Sequence, residues 1–195
     1  INYLQNTASP MLADTATALP RGDDHVYEVK WDGIRALFFI DEGNIKIISR
    51  NQRDITQQFP ELCNIDKSFN VTCAVFDGEI VCLDEHGKPE FKKVITRLMS
   101  TGAATIEKLS RTKPAFCYLF DCLYLDGRAL VNEPLLKRKT WLHDAIKIGE
   151  SPYRFSEHIE DGKLLLEAAE AHALEGIMAK KMDGKYLPGK RSDAW

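Results

Sequence analysis

The sequence predicts an α+β domain built mainly on antiparallel sheets. Apolar segments with the length and composition of strands dominate the chain, and single helices interrupt them. These segments lack the regular strand–helix alternation of a doubly wound parallel sheet. No internal repeat or low-complexity tract divides the 195 residues, which are enough for one large domain or two closely packed lobes.

The first half of the chain is predicted to consist mainly of strands. Residues 1–24 show little periodicity, so we expect an extended lead-in laid over the domain. Asp32-Gly33 and Glu42-Gly43 are turn signals, and the first predicts a hairpin between the strands on either side. We expect a short helix at 56–62 and a longer helix at 89–99. Strands are predicted at 26–31, 34–40, 44–50 and 73–83.

One long strand and two helices organise the second half. The apolar strand is predicted at 115–125, whereas the polar residues 101–112 indicate no element. The helix at 134–146 has proline in its first turn, and the helix at 161–172 has Asp161 near its N-cap. Shorter strands are predicted at 153–158 and 176–181.

Composition and charge limit the possible classes of protein. With 44% hydrophobic and 28% charged residues, the chain is typical of a soluble globular protein. No segment has the length and apolarity of a membrane span, which predicts a cytoplasmic location and no membrane partner. The net charge of −3 argues against unaided DNA binding, although basic residues crowd 180–191. Because the chain begins with Ile1, we expect a fragment or a processed chain.

Lys30 is the candidate nucleophile. It lies beside the predicted Asp32-Gly33 turn, with Glu28 and Arg35 close in sequence. An ordinary lysine has a pKa of about 10.4 and is protonated at neutral pH, whereas burial and neighbouring cations bring nucleophilic lysines to about 7–8. From these residues alone, a surface hairpin with a solvated lysine is the alternative interpretation.

Five short motifs follow one another along the chain. They are Lys30-Trp31-Asp32-Gly33-Ile34-Arg35, Ser49-Arg50-Asn51, Asp77-Gly78-Glu79-Ile80-Val81, Tyr118-Leu119-Phe120-Asp121 and Glu175-Gly176-Ile177-Met178-Ala179-Lys180. In this order they resemble the motifs of the covalent nucleotidyltransferases, the superfamily of DNA ligases, RNA ligases and capping guanylyltransferases. Together with Pro10-Met11-Leu12-Ala13 and residues 186–195, they resemble most closely the ligase domain of bacterial multifunctional non-homologous end-joining DNA ligases.

This resemblance implies a fold and a reaction. Two mainly antiparallel sheets would pack together with flanking helices and hold a nucleotide in the groove between them. Lys30 would attack the α-phosphate of ATP, release pyrophosphate and keep AMP as a phosphoramidate. Glu28 would accept a hydrogen bond from the adenine amino group, which favours ATP over GTP. Phe120 would stack on adenine, although strand alternation alone also fits a core position.

The remaining motif residues are expected around the sugar and phosphates. Arg35 and Arg50 offer donors suited to ribose and phosphate oxygens. Glu79 would contact the ribose and a metal ion, and Glu175 would organise the metal. Lys180 would contact the α-phosphate. Magnesium is the expected ion because it prefers carboxylates together with substrate phosphates.

The resemblance also implies a DNA substrate. AMP would pass to the 5′-phosphate of nicked or broken double-stranded DNA for sealing in repair, in the bacterial cytosol and near the nucleoid. A Ku-type end-binding protein and polymerase or nuclease modules are the expected partners. Residues 1–195 correspond to the adenylation domain, and the last Lys-x-Lys motif and the OB-fold domain are expected outside this chain. We therefore expect weak self-adenylylation and no complete nick sealing by this portion.

Two other functions fit the motifs. One is an RNA ligase or an mRNA-capping guanylyltransferase, against which Glu28 and the Pro-Met-Leu-Ala segment argue. The other is a nucleotide-binding domain without turnover, against which the presence of Lys30, Glu79, Glu175 and Lys180 argues.

Overall fold

Two sheets of unequal size form the framework of the computed structural model, which describes residues 9–65, 67–147 and 149–195. The strands are β1 (Leu12–Ala13), β2 (His25–Val29), β3 (Ile34–Asp41), β4 (Asn44–Ser49), β5 (Cys73–Cys82), β6 (Ala115–Leu125), β7 (Arg128–Ala129), β8 (Tyr153–Phe155), β9 (His158–Ile159), β10 (Ile177–Lys181) and β11 (Arg191–Ser192). The helices are α1 (Phe91–Leu98), α2 (Ala103–Thr112), α3 (Leu135–Ala145) and α4 (Gly162–Ala171).

The large sheet has the strand order β4-β3-β5-β6-β7, with β8 added to β6. The small sheet has the order β10-β2-β9, and β1 pairs with β11 beside them. Only the β6–β8 and β1–β11 pairings among the described residues are parallel. The prediction of an α+β domain with mainly antiparallel sheets is therefore confirmed.

The large sheet is covered on both faces, which follows from its alternating apolar residues. Phe38, Phe76 and Leu119 belong to a core that also contains Leu142 of α3. The alternate residues of the same strands, among them Leu37, Val75 and Leu123, belong to a second core. That second core includes Met11 from the lead-in together with Tyr186 and Trp195, so both ends of the described chain close over the sheet.

Several predicted elements are confirmed with nearly the same ends. The strand predicted at 115–125 is β6, and Asp161 caps α4 by accepting a hydrogen bond from the Leu164 backbone N–H. The Glu42-Gly43 turn has positive φ at both residues, as a two-residue hairpin requires. Residues 1–8 of the predicted lead-in lie outside the described residues.

The predicted hairpin at Asp32-Gly33 is wrong. Strand β2 pairs with β9 and β10 in the small sheet, whereas β3 pairs with β4 and β5 in the large sheet. Gly33 serves a close approach instead. A Cβ there would overlap the Ile80 carbonyl oxygen and lie 2.9 Å from Val81 Cγ1. The Asp-Gly pair thus marks the crossing from one sheet to the other.

Two other predictions need correction, and one segment that had no assigned element contains a helix. The strand predicted at 153–158 is divided between β8 of the large sheet and β9 of the small sheet, with Ser156 at the change of sheet. The helix predicted at 56–62 consists of two 3-10 helices, Thr56–Gln58 and Pro60–Cys63, because Pro60 interrupts the first. The polar segment 101–112 contains α2. In the described ranges, no helix has both the length and the apolar character needed to cross a membrane.

Candidate active site

A cavity of about 510 Å³ lies in the groove between the two sheets. Strands β2 and β10 supply its residues from the small sheet, and β3, β5 and β6 supply them from the large sheet. The fold therefore brings all eight predicted site residues to one cavity, although their individual roles stay predictions. These residues are Glu28, Lys30, Arg35, Arg50, Glu79, Phe120, Glu175 and Lys180.

Lys30 follows the last residue of β2, and strand pairing determines its neighbours. The register of β2 against β10 sets Val29 opposite Ile177. The Lys30 backbone N–H consequently donates to the Gly176 carbonyl over 2.9 Å. The Lys30 ammonium forms an ion pair with Glu175, and both side chains are about two-fifths exposed, at 44% and 39%. The first and the last motif of the sequence thus meet at the candidate nucleophile.

Glu28 lies deeper in the groove, with 1% of its surface exposed. Its Oε1 accepts hydrogen bonds from Lys139 Nζ over 2.9 Å and from Lys180 Nζ over 3.0 Å. Burial alone would raise the pKa of Glu28, but the two lysines outweigh it and lower the pKa below its ordinary value. Glu28 is therefore a carboxylate at neutral pH, an acceptor without a proton to donate.

Lys180 is 2% exposed, and its ammonium lies between two aromatic rings. Its Nζ is 4.5 Å from the ring centroid of Phe120 and 4.4 Å from that of Trp195. Burial lowers the pKa of Lys180, although Glu28 opposes the shift. Its hydrogen-bond partner is Glu28, the carboxylate that is predicted to bind the adenine amino group. The contact of Lys180 to the α-phosphate stays a prediction.

Arg35 is fixed by Asp77, a fully buried residue of β5. Its Nε and one terminal nitrogen donate to the two Asp77 oxygens over 3.1 and 2.8 Å. Burial would lower the pKa of Arg35, but Asp77 raises it, so the guanidinium stays charged. Tyr186 donates to the same carboxylate over 2.6 Å. Arg50 joins this side through its backbone N–H, which donates to the Arg35 carbonyl over 2.9 Å.

Phe120 lies on the groove face of β6, the face opposite to Cys117 and Leu119, and the strand becomes irregular at this residue. In the pairing of β5 with β6, Asp77 lies opposite Asp121 and Gly78 lies opposite Leu119, which leaves Phe120 as the extra residue of a bulge. The bulge shifts the alternation for the residues that follow, so Cys122 returns to the same core as Leu119. Phe120 lines the cavity and packs edge-on to Trp195, whereas Leu119 stays in the core under the helices.

Glu79 is the carboxylate of the large sheet in this groove. Burial raises its pKa to about 8, with Asp77 adding to the increase and with Arg35 and Lys30 opposing it. A cation beside this carboxyl group would stabilise its ionised form and lower its pKa. Among the described residues no cluster of three or more histidine, cysteine, aspartate or glutamate side chains could hold a metal. Two carboxylates, Glu79 and Glu175, fit magnesium only as part of a set completed by substrate phosphates and water.

The basic residues near the end of the chain do not form one exposed surface. Lys180 is buried against Glu28. Lys181 pairs with Asp193 over 3.3 Å, and Arg191 pairs with Asp14 over 3.7 Å. Three of the five basic residues at 180–191 are thus paired within the domain, whereas Lys185 and Lys190 are exposed.

Sequence reasoning missed Lys139, which completes the Glu28 cluster. Lys139 lies on α3 between Leu135 and Leu142, at the helical spacing of a buried face. A lysine at a position where the pattern expects an apolar residue is the signal that the sequence offered. In the sequence, Trp195 was only the last residue of the segment 186–195 that supports the resemblance, yet its ring forms part of the cavity wall.

Comparison with known proteins agrees with this arrangement. The ATP dependent DNA ligase domain profile matches residues 10–195. DNA ligase C1 of Mycolicibacterium smegmatis is 35% identical over 193 residues, covering 96% of this chain and 56% of that protein. The multifunctional non-homologous end joining protein LigD of the same organism is 32% identical over 188 residues, covering 96% of this chain and 23% of that protein.

Solved structures show the same fold. A mycobacterial DNA ligase D complexed with ATP and MES superposes with a TM-score of 0.79 at 30% identity, over 96% of this chain and 58% of that chain. The ligase domain of M. tuberculosis LigD gives a TM-score of 0.76, also at 30% identity. The chain thus spans about half the length of DNA ligase C1 and under a quarter of LigD. Profile, sequence relatives and structures agree that the chain belongs to the ATP-dependent DNA ligase domain family.

Proposed function

We propose that this chain is the adenylation domain of a DNA ligase and that Lys30 becomes covalently adenylylated. The uncharged Lys30 amine attacks the α-phosphorus of ATP, a nitrogen–phosphorus bond forms, and the bond to the pyrophosphate oxygen breaks. Pyrophosphate leaves with the electron pair of that bond, and the lysine nitrogen loses a proton to solvent. The observation that carries the proposal is that Lys30 and the seven other predicted residues line one cavity between the two sheets.

The cavity supplies groups suited to each part of ATP. Glu28 accepts a hydrogen bond from the adenine amino group, and Phe120 stacks on the base. Arg35, held by Asp77, and Arg50 contact ribose and phosphate oxygens. These assignments rest on the residue types and on their shared cavity.

The charges around Glu28 suit an anionic ligand. Two ammonium groups face one carboxylate in a buried cluster, which leaves a net positive charge. Lys180 would offset part of the negative charge of the α-phosphate from this position. Magnesium, held by Glu79, Glu175 and substrate phosphates, would neutralise further charge on the phosphates during transfer.

The later steps require DNA and a longer protein. AMP passes from Lys30 to the 5′-phosphate of nicked or broken duplex DNA, and the adjacent 3′-hydroxyl then displaces it. We propose that the Lys-x-Lys motif and an OB-fold domain lie in the remainder of the protein, and that it acts in DNA repair by end joining in the cytoplasm. A Ku-type protein and polymerase or nuclease modules are the proposed partners, in line with the name of LigD as a multifunctional non-homologous end joining protein.

Intact mass spectrometry tests the proposal. The chain is incubated with magnesium and either ATP or GTP, as wild type, Lys30→Ala and the exposed-lysine control Lys185→Ala. A gain of one AMP is expected with ATP in the wild type and in Lys185→Ala, and none in Lys30→Ala.

The same incubations are repeated with a chain extended past Trp195, which supplies the Lys-x-Lys motif. AMP transfer that persists in Lys30→Ala would refute the nucleophile. A gain of GMP would indicate a capping guanylyltransferase. No gain in either length of chain would indicate a nucleotide-binding relative without turnover.

A further inference from the structure

Lys139 is buried at a position where the burial of a charged lysine side chain is energetically unfavourable. It is 1% exposed on α3, far in sequence from every motif of the site. Its Nζ donates to Glu28 Oε1 and to the Ser156 carbonyl, each over 2.9 Å, and lies 4.5 Å from the Phe155 ring centroid. Removing an ammonium group from water is unfavourable unless its partners are well placed, so this geometry is specific.

Charge balance does not explain Lys139. Lys180 already pairs with Glu28 over 3.0 Å and suffices to neutralise one carboxylate. The second ammonium therefore adds an unfavourable like-charge contact within the cluster. Lys139 also donates a second hydrogen bond to Glu28 from a different direction. The same ammonium group is held by the Ser156 backbone carbonyl.

Both lysines donate to the same oxygen of Glu28. In the described parts of the chain, no donor is recorded for the other oxygen, Oε2, and Glu28 lines the cavity. Two donors on Oε1 fix the rotation of the carboxylate and leave Oε2 as a pure acceptor for a ligand. An amino group satisfies such an oxygen, whereas a ring carbonyl at the same place would be repelled.

Ser156 connects this cluster to the peptide that carries the candidate nucleophile. Its backbone N–H donates to the Leu119 carbonyl over 2.7 Å, which holds it on the large sheet. Its Oγ accepts a hydrogen bond from Trp31 Nε1 over 3.2 Å, and the Trp31 ring stacks on Tyr118 at 3.6 Å. Lys139 thus ties Glu28 to the same fixed point as the residue that follows Lys30.

We propose that Lys139 is a positioning residue that orients the Glu28 carboxylate and thereby sets the preference for a purine with an amino group at C6. The inference rests on the proposed function, in which Glu28 reads the base of ATP. Lys139 itself touches Glu28 and Ser156 rather than the nucleotide.

Binding without turnover separates this role from general charge. ATP and purine riboside triphosphate, which lacks the exocyclic amino group, are titrated calorimetrically without divalent cations. The proteins are wild type, Lys139→Met and Lys139→Arg. The control is Lys137→Met, which changes an exposed lysine of the same helix that pairs with Glu133 over 2.9 Å. Thermal unfolding verifies that each variant is folded.

The wild type is expected to prefer ATP by roughly ten- to hundredfold, the usual contribution of a hydrogen bond to a charged group. Lys139→Met should lose most of that preference, with less than about a threefold change in affinity for the analogue. Lys139→Arg, which keeps charge and donors, should retain more of the preference than Lys139→Met, and Lys137→Met should retain all of it. Should Lys139→Met not fold, Lys139→Gln is measured by the same criterion.

Two results would overturn the inference. If Lys139→Met weakens binding of both nucleotides equally, Lys139 contributes only charge or stability. If the ATP preference is unchanged in folded Lys139→Met or Lys139→Gln, Glu28 is oriented without Lys139, while base reading by Glu28 stands. A wild type that binds ATP without any preference would instead remove the proposed reading of the base by Glu28, and this inference with it.

Discussion

Replacing Arg138 by methionine is expected to lower the free energy of unfolding by about 3–5 kcal/mol, because it breaks a fully buried ion pair. Arg138 and Asp121 both have 0% of their side chains exposed. The guanidinium donates to the two Asp121 oxygens over 2.7 and 2.9 Å and also to the Glu133 and Gly184 carbonyls. Methionine fills similar volume but supplies none of these donors.

The magnitude follows from what remains after the substitution. Asp121 keeps one donor, the Cys122 backbone N–H at 2.8 Å, so its charge stays buried and poorly compensated. Two carbonyls lose a partner as well. For a chain of this size a loss of about 3–5 kcal/mol corresponds to a decrease in Tm of roughly 6–20 °C. The damage lies beside Phe120, so ATP affinity should fall too.

Urea unfolding followed by far-UV circular dichroism measures the loss. The matched control is Lys137→Met, which removes an exposed ion pair and should change stability by less than about 1 kcal/mol. In Arg138→Met/Asp121→Leu the uncompensated charge is gone, so we expect at least half of the lost stability to return. A loss below about 1 kcal/mol in Arg138→Met, or a double variant as unstable as the two single changes summed, would refute this reasoning.

Three further outcomes are expected. Gly33→Ala should cost about 1–3 kcal/mol and reduce labelling of Lys30, because the new methyl group overlaps the Ile80 carbonyl oxygen; an equally stable, equally labelled variant would contradict this. Glu28→Gln should be less stable than wild type at neutral pH. Since the pKa of Glu28 lies below its ordinary 4.5 in the folded state, the stability difference should shrink only as pH falls below about that value; urea titrations from pH 3 to 7 would show it. Glu175→Gln should change stability by under about 1 kcal/mol because its ion pair with Lys30 is exposed, while adenylylation measured by intact mass should decline.

Much of the fold could be predicted because local patterns and tertiary needs agree. The strand at 115–125 was predicted with the ends that β6 has, since an apolar run of that length fits a strand buried on both faces. The five motifs contain seven of the eight predicted residues that line the cavity, and Glu28 lies two residues before the first motif. These residues meet because the motifs lie on or beside strands whose order and register bring them to the same groove.

The remainder depends on contacts that no local pattern encodes. Asp32-Gly33 has the residues of a two-residue turn, but packing of Gly33 on Ile80 overrides that preference. The bulge at Phe120 arises from pairing between β5 and β6, which a single strand sequence does not specify. The partnership of Lys139 with Glu28 joins residues more than a hundred positions apart.

Within the described residues, the chain crosses between the two sheets at residues 30–33, which line the groove, and at residues 156–157, where Ser156 accepts a hydrogen bond from Trp31 of the first crossing. At the first crossing, Gly33 packs so closely on the Ile80 carbonyl that a side chain would not fit. At the second crossing, the Ser156 backbone N–H donates to the Leu119 carbonyl of the large sheet. Widening the groove near Lys30 would bend both crossings at once. The groove is therefore expected to be rigid, with a width that is determined when the domain folds. Backbone amides at the two crossings should exchange with solvent slowly and together.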